Sequence, residues 1–424
     1  MLSTNVQTLL QRVKFFCGLF LLLSFTFFSC SAAEDVPIVI WTDNAAVVSY
    51  AELFNASQES AKAVVVYKED CFRSLPPAKD EIQPDILISS LLKNSEIRKY
   101  FSPVDYLFNE KLSRADYYSK LLDYGLVLEH QYLIPISFNV DTMVFNKKNE
   151  ALVHASHSIS LDEVREVSKE FNQVNQNGVF TAMGYAPSWD SDFLFASVVL
   201  RGADFVENEN TFLWNEDSLK NTLGFLRDWT QNDNEGFSTE QNFAFKYLYM
   251  PKYRQLLTER CLFSCMPSNE LFALNPEQLE SLSFRWLEND GKIAVREDIV
   301  TAALYKKTKN AKKAEIFFEW LCSEKTQKAL LEREKSMNLD TRTFGIAGGF
   351  SALKSVNTKI YPSYYRALLE NQPPESKLTV PEMLPPRWTS LKEKVLLPYL
   401  TENLEDETTS SLEDRIADWL RQSY

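Results

Sequence analysis

From Pro37 onward the chain alternates unbroken apolar runs with segments of helical period. PIVIW (Pro37 to Trp41) is followed by SYAELFNAS, the β-branched KAVVVY (Lys62 to Tyr67) and PDILIS (Pro84 to Ser89). Apolar strands joined by helical connections predict a sheet covered on both faces, with parallel neighbours. The next apolar stretch, YLIPISFNVDTMVFNKK (Tyr132 to Lys148), is long for one strand and is interrupted by Asn139 and Asp141. It predicts two strands joined by a polar kink, where the chain passes from one lobe to another.

Helical periodicity then takes over. In SLDEVREVSKEF, Ser160 and Glu163 have the spacing of a capping box, and Leu219, Leu223 and Leu226 mark one face of a later helix. CLFSCM (Cys261 to Met266), KIAV (Lys292 to Val295) and IVTAALY (Ile299 to Tyr305) predict further strands. The helical pair AKKAEIFFEWLC and SEKTQKALLERE follows, with Ala314, Phe317, Phe318 and Leu321 on one face. FGIAGGFSALKS predicts a turn-rich loop. The chain ends on a helix whose Leu412, Ile416, Trp419 and Leu420 form a stripe behind a Ser410 to Glu413 capping box. There is no internal repeat.

The N-terminus has a different character. Arg12 and Lys14 precede an apolar run from Phe15 to Phe28, broken only by Gly18, Ser24 and Thr26. That is short for a membrane span, which needs about 20 apolar residues, and it predicts a secretory signal over residues 1–29. Phe27-Phe28-Ser29-Cys30 resembles a bacterial lipobox, although such boxes usually carry Leu at the position of Phe27 and a small residue at that of Phe28. The resemblance implies diacylglycerol and palmitate-type acylation of Cys30, with residues 30–35 as the lipidated end and tether. Two or three acyl chains would hold a soluble domain at a membrane surface, each buried CH₂ contributing about 0.8 kcal/mol.

Composition narrows the classes. With 424 residues, 45% of them hydrophobic, the chain can bury enough core for two lobes. Its net charge of -13 becomes -15 without residues 1–29, which argues against a nucleic-acid partner and against peripheral binding to anionic lipid through charge alone. Cys71, Cys261, Cys265 and Cys322 show neither a disulfide ladder nor a zinc spacing. In a strand, Cys261 and Cys265 would stand roughly 13 Å apart, beyond bridging distance. His130, His154 and His157 lack a supporting carboxylate cluster, so no metal and no cofactor are expected.

The ordered set IVIWTDN with AELFN behind it, QPDILIS, LIPISFNVDTMVFNKK, WNEDSLKNTLGFLRDW, AALYKKTKNAKKAEIFFEWLCSEKTQKALL and PPRWTSLKEKVLLPYL resembles the family 1 extracellular solute-binding proteins. These are the carbohydrate-type receptors of ATP-binding-cassette (ABC) importers. The resemblance covers almost the whole chain after Cys30. It implies an α/β, two-lobed, type II periplasmic-binding-protein-like fold, each lobe a mixed sheet flanked by helices, with a hinge between. Lobe 1 would comprise 34–138 plus 292–343, and lobe 2 would comprise 139–291 plus 344–424. It also implies a non-enzymatic monomer outside the cytoplasm, in the periplasm or on the outer face of the cytoplasmic membrane. Such a receptor would capture a small carbohydrate and pass it to a membrane permease.

In open α/β sheets, ligands sit beyond the carboxyl ends of strands. That rule selects Asp43 and Asn44 after the first strand and Ser89 and Ser90 at the third, with helix capping as a coexisting role for the first pair. In the second lobe, Trp189 stands among polar residues in MGYAPSWDSDFLF, with Tyr185 and Asp190 as companions. An aromatic ring can pack on a sugar's C–H face while Asp and Asn pair with hydroxyls. The family places Trp388 against the sugar, and Arg387 precedes it. Where the family commonly has a further Trp, this chain has Pro267-Ser268-Asn269, which implies either a smaller pocket with Asn269 as a polar substitute or a ligand that is not a typical oligosaccharide. Trp214, Trp229, Trp286, Trp320 and Trp419 read as packing. Two alternatives stand beside the receptor: a secreted glycosidase using paired carboxylates, and a surface interaction protein that keeps the scaffold without transport.

Overall fold

The computed structural model describes residues 36–208, 211–337, 343–406 and 410–422. The apolar run 15–28, Cys30 and the tether lie outside them. Three parallel strands begin the first sheet: β1 (Ile38–Thr42) lies between β2 (Ala63–Tyr67) and β3 (Ile86–Ser89). Every residue of β1 is buried, because helices cover both faces of the sheet. From the helix Ala46–Ser57, Phe54 meets Phe317 and Trp320 edge-on at 5.0 and 5.2 Å.

β4 (Leu133–Phe138) belongs to the same sheet, but the next strand does not. Asn139 and Val140 carry the chain into a second sheet as β5 (Asp141–Asn146), which is joined there by β6 (Ser158–Ser160), β7 (Phe263–Pro267) and β8 (Leu282–Glu288). β9 (Val300–Tyr305) then returns to the first sheet and runs antiparallel between β3 and β4. β10 (Phe350–Ser351) closes that sheet on the far side of β4, giving the order β10-β4-β9-β3-β1-β2, with the short strand Phe101–Ser102 also on β9.

β10 overturns one expected boundary. Residues from Phe344 were assigned to the second lobe, yet Phe350 and Ser351 pair with Phe138 and Ser137 of the first sheet. The loop is braced by three tyrosine hydroxyls, one of them from the first lobe: the successive N–H groups of Gly345, Ile346 and Ala347 donate to Tyr365, Tyr361 and Tyr50 at 2.8, 2.8 and 2.7 Å. Gly345 has φ +60°, and a Cβ there would lie 2.3 Å from Gly349 O. The chain crosses later, where Leu378–Thr379 pairs in parallel with Ile293–Ala294. The terminal capping box is displaced too: Ser411, not Ser410, accepts from Asp414 N at 3.1 Å, and the helix Leu412–Gln422 starts behind it.

Phe350 also joins the two sheets sideways. Its ring lies 5.6 Å from Phe138 of β4 and 5.8 Å from Trp286 of β8, with Phe272 and Phe344 around it. Truncating a buried phenylalanine typically costs about 3–5 kcal/mol. Phe350→Ala is therefore expected to lower stability by about that much in denaturant titration, with circular dichroism and tryptophan fluorescence still moving together. A loss under roughly 1 kcal/mol would show that the cluster does not join the sheets.

Candidate functional site

Because β1, β2 and β3 are parallel, the loops that follow them emerge on one edge of the first sheet. Asp43 follows β1, residues 68–75 follow β2, and Ser90 and Leu91 follow β3. Ser89 Oγ donates to Asp43 Oδ2 at 2.5 Å and contacts Ser90 O at 3.1 Å, which brings Asp43, Ser89 and Ser90 together. Burial raises the Asp43 carboxyl above its ordinary range, against the pull of the Ser89 hydrogen bond. Burial also pushes the neighbouring Cys71 thiol up to about 12, with Asp43 adding to the effect. Asn44 is spoken for: its Oδ1 accepts from Ala46 N at 3.0 Å and its Nδ2 donates to Ala347 O at 2.8 Å. It acts as a cap and strut and not as an open ligand contact.

The second-lobe candidates divide. Asp190 caps the helix Ser191–Leu200 through Asp192 N at 3.0 Å and pairs with Lys252 Nζ at 2.9 Å. Burial alone would lower the Lys252 ammonium, but Asp190 outweighs it and raises the pKa. Half-buried Trp189 stacks on Phe243 at 5.5 Å, and its Nε1 donates to Glu240 O at 3.1 Å. Asn269 is half-buried and accepts from Glu270 N at 3.1 Å.

Two aromatic candidates are deeply buried. Tyr185 is 2% exposed and hemmed in by Trp189, Phe193 and Trp229. Trp388, also 2% exposed, packs among Phe195, Phe205 and Phe212 at 5.9–6.1 Å. The Tyr185 ring is core, whereas Trp388, though packed, also lines the smaller cavity beside the crossings. The helix Trp388–Leu391 buries its first residue with Leu391, while the preceding Arg387 stays exposed.

A cavity of about 1040 Å³ lies between the lobes. Phe72, Arg73 and Leu75 from the loop after β2, with Glu96, form the first-lobe wall. The facing wall carries Arg387, Trp214, Trp419, Glu207 and Glu413. An antiparallel hairpin, Val206–Asn208 with Thr211–Leu213, presents Phe212 and leads into Trp214, whose Nε1 donates to Glu216 Oε2 at 2.5 Å. Trp214 and Trp419 were read as packing. The terminal helix buries only Leu412 fully, so the rest of its stripe, Ile416, Trp419 and Leu420, is left to line the cavity.

Beside the crossings, a smaller cavity of about 380 Å³ adjoins a charged network. Arg296 pairs with Asp141 at 2.8 Å and Asp192 at 3.2 Å, and Lys392 pairs with Asp192 at 3.5 Å and with Glu297. Burial pushes Asp192 up, but Lys392 and Arg296 prevail and hold it below the usual carboxylate range. Asp298 gains less. Burial takes its carboxyl up to about 6 against the attraction of Arg296, and its Oδ1 has no hydrogen-bond partner among the described residues. Among the described residues, no group of three or more His, Cys, Asp or Glu side chains could hold a metal ion.

No protein-family model matches the chain, and no curated protein matches it in sequence. Solved structures do match in shape. The sugar-binding protein MalE from Xanthomonas citri superposes with a TM-score of 0.67 at 12% identity, over 91% of this chain and 96% of its own. Maltose-bound MalE3 of T. maritima gives 0.61 at 13%, over 92% and 100%. The galacto-N-biose/lacto-N-biose I-binding protein of an ABC transporter from Bifidobacterium longum, in complex with lacto-N-biose, gives 0.60 at 13%, over 92% and 96%. At such identities the likeness shows the fold: the chain has the two-lobed α/β, type II periplasmic-binding-protein architecture.

Asp298 gives a pH test. Its folded pKa of about 6 exceeds the ordinary 3.8, so between those values the folded chain binds more protons than the unfolded chain. Its contribution is fully present below the unfolded value and is lost as pH rises through the folded one, a change on the order of 3 kcal/mol. Relative to the wild type, Asp298→Asn is expected to gain stability from pH 4 to pH 7, by roughly that amount. Parallel pH–stability curves for the two proteins would refute the assignment.

Proposed function

We propose that this chain is an extracytoplasmic solute-binding protein that closes two lobes on a carbohydrate and delivers it to an ABC permease. The observation that carries this reading is the interlobe cavity, about 1040 Å³ in volume, walled by aromatic rings and by charged side chains from both lobes. Ligand pockets commonly span about 300–1,000 Å³, so the cavity suits an oligosaccharide better than a single hexose. Phe72 faces it from one lobe and Trp214 and Trp419 from the other, rigid surfaces for the C–H faces of sugar rings. Glu96, Arg73, Glu207 and Arg387 supply hydroxyl partners in both directions. Asp43, Ser89 and Ser90 lie on the same edge of the first sheet, next to the loop that carries Phe72 and Arg73. Because contacts come from both lobes, a solute binds the closed arrangement better and shifts the balance toward it.

The fold neighbours support a binding role: one is described as a sugar-binding protein, and another is bound to maltose. In this reading the protein is a monomer, exported behind its apolar N-terminal run and tethered through lipid on Cys30.

Calorimetry with a panel of malto- and galacto-oligosaccharides, combined with small-angle scattering, tests the proposal. The expected outcome is saturable binding with a decrease in radius of gyration. Trp214→Ala and Trp419→Ala should each weaken binding roughly tenfold or more. Trp388→Ala should instead cost about 3–5 kcal/mol of stability. Absence of both binding and compaction across the panel would sink the reading.

A further inference from the structure

The second lobe carries an exposed apolar tip far more prominent than anything around it. In the helix Phe237–Lys246, Phe243 is buried against Trp189, whereas Phe245 is 77% exposed. The turn that follows leaves Leu248 at 61% and Tyr249 at 97%. The turn is nevertheless braced. Met250 N donates to Tyr247 O at 2.8 Å, and Gln255 Nε2 donates to Met250 O at 2.8 Å and Tyr247 O at 3.5 Å. Tyr247 lies beneath two cations, Lys246 Nζ at 5.3 Å and the Arg260 guanidinium at 5.9 Å.

Charge around the tip reverses that of the chain. Residues 245–260 hold Lys246, Lys252, Arg254 and Arg260 against the single carboxylate Glu259, in a protein of net charge -13. Lys252 is engaged by Asp190; Lys246, Arg254 and Arg260 are exposed. Exposed apolar and aromatic side chains with lysines and arginines close by in the chain match the chemistry of a bilayer interface. There, aromatic rings sit at headgroup depth and cations meet anionic lipid. A protein partner would more ordinarily be met by a packed patch with a polar rim, and these side chains protrude without flanking walls.

We propose that the 245–260 turn is a membrane-docking tip that seats Phe245, Leu248 and Tyr249 among anionic phospholipid headgroups. It would act independently of any lipid on Cys30. It would orient the second lobe toward the membrane, a separate matter from what fills the cavity.

Vesicles of phosphatidylglycerol and phosphatidylcholine with brominated acyl chains test this on the full chain. The indole introduced by Tyr249→Trp should be blue-shifted and quenched, after subtraction of the wild-type signal, even where the N-terminus also holds the protein to the vesicle. Adding Phe245→Ser and Leu248→Ser should abolish that quenching while leaving the melting temperature unchanged. Raising salt, or replacing phosphatidylglycerol with phosphatidylcholine, should weaken it roughly tenfold. An unquenched indole, quenching that survives the double serine change, or equal quenching on neutral vesicles would each overturn the proposal.

Discussion

The two halves of this molecule are held in relation by three crossing segments that lie side by side. Val140 bridges Val295, Arg296 N donates to Asn139 O at 2.9 Å, and Val295 N donates to Thr379 O at 2.8 Å. Backbone bonding in this pattern resists sliding, since a slip of one residue would break every bond at once, but it permits bending through a few dihedral angles. Arg296 adds a charge constraint: separating it from Asp141 would leave the buried Asp141 carboxylate without its cation, which costs several kcal/mol. The axis about which the lobes turn is thus fixed more firmly than the angle between them.

Two interlobe surfaces sit around that axis, with different physics. One is the dry aromatic contact of Phe138, Phe272, Trp286 and Phe350, whose packing is that of a core. The other is the cavity of about 1040 Å³, where rings and charges face space. The first limits how far the halves can part. In the proposed receptor, the second would supply the free energy of closure only when something occupies it.

Much of the scaffold was legible because burial on both faces imposes a simple rule on sequence. β1, β4 and β9 are buried throughout and apolar except at Thr42, Ser137 and Thr301, and no helix could have used Pro135 or so many β-branched residues as well. The passage at Asn139 showed itself as polar residues inside an apolar run. The late crossing did not, because the glycine-rich loop at 344–350 looks locally like a boundary while tyrosines as distant as Tyr50 hold it to the first lobe. The site was partly legible for a related reason. Asp43 and Ser89 follow from strand ends, whose placement is geometric. Trp388, Trp214 and Trp419 do not, since apolar periodicity marks a side chain as facing inward without saying whether core or cavity lies there.

Leu91 shows how the resting shape could be tuned. It follows β3 with φ +55°, a left-handed backbone unusual for leucine, and its side chain packs against the core of the opposite lobe. If the halves part, that isobutyl group meets solvent, a penalty of up to about 2 kcal/mol, with no compensating relaxation of the backbone beneath it. In the proposed receptor, a single methyl more or less at this one position would therefore reset how often the empty protein gapes, and with it the apparent grip on every guest alike, without altering which guest is preferred.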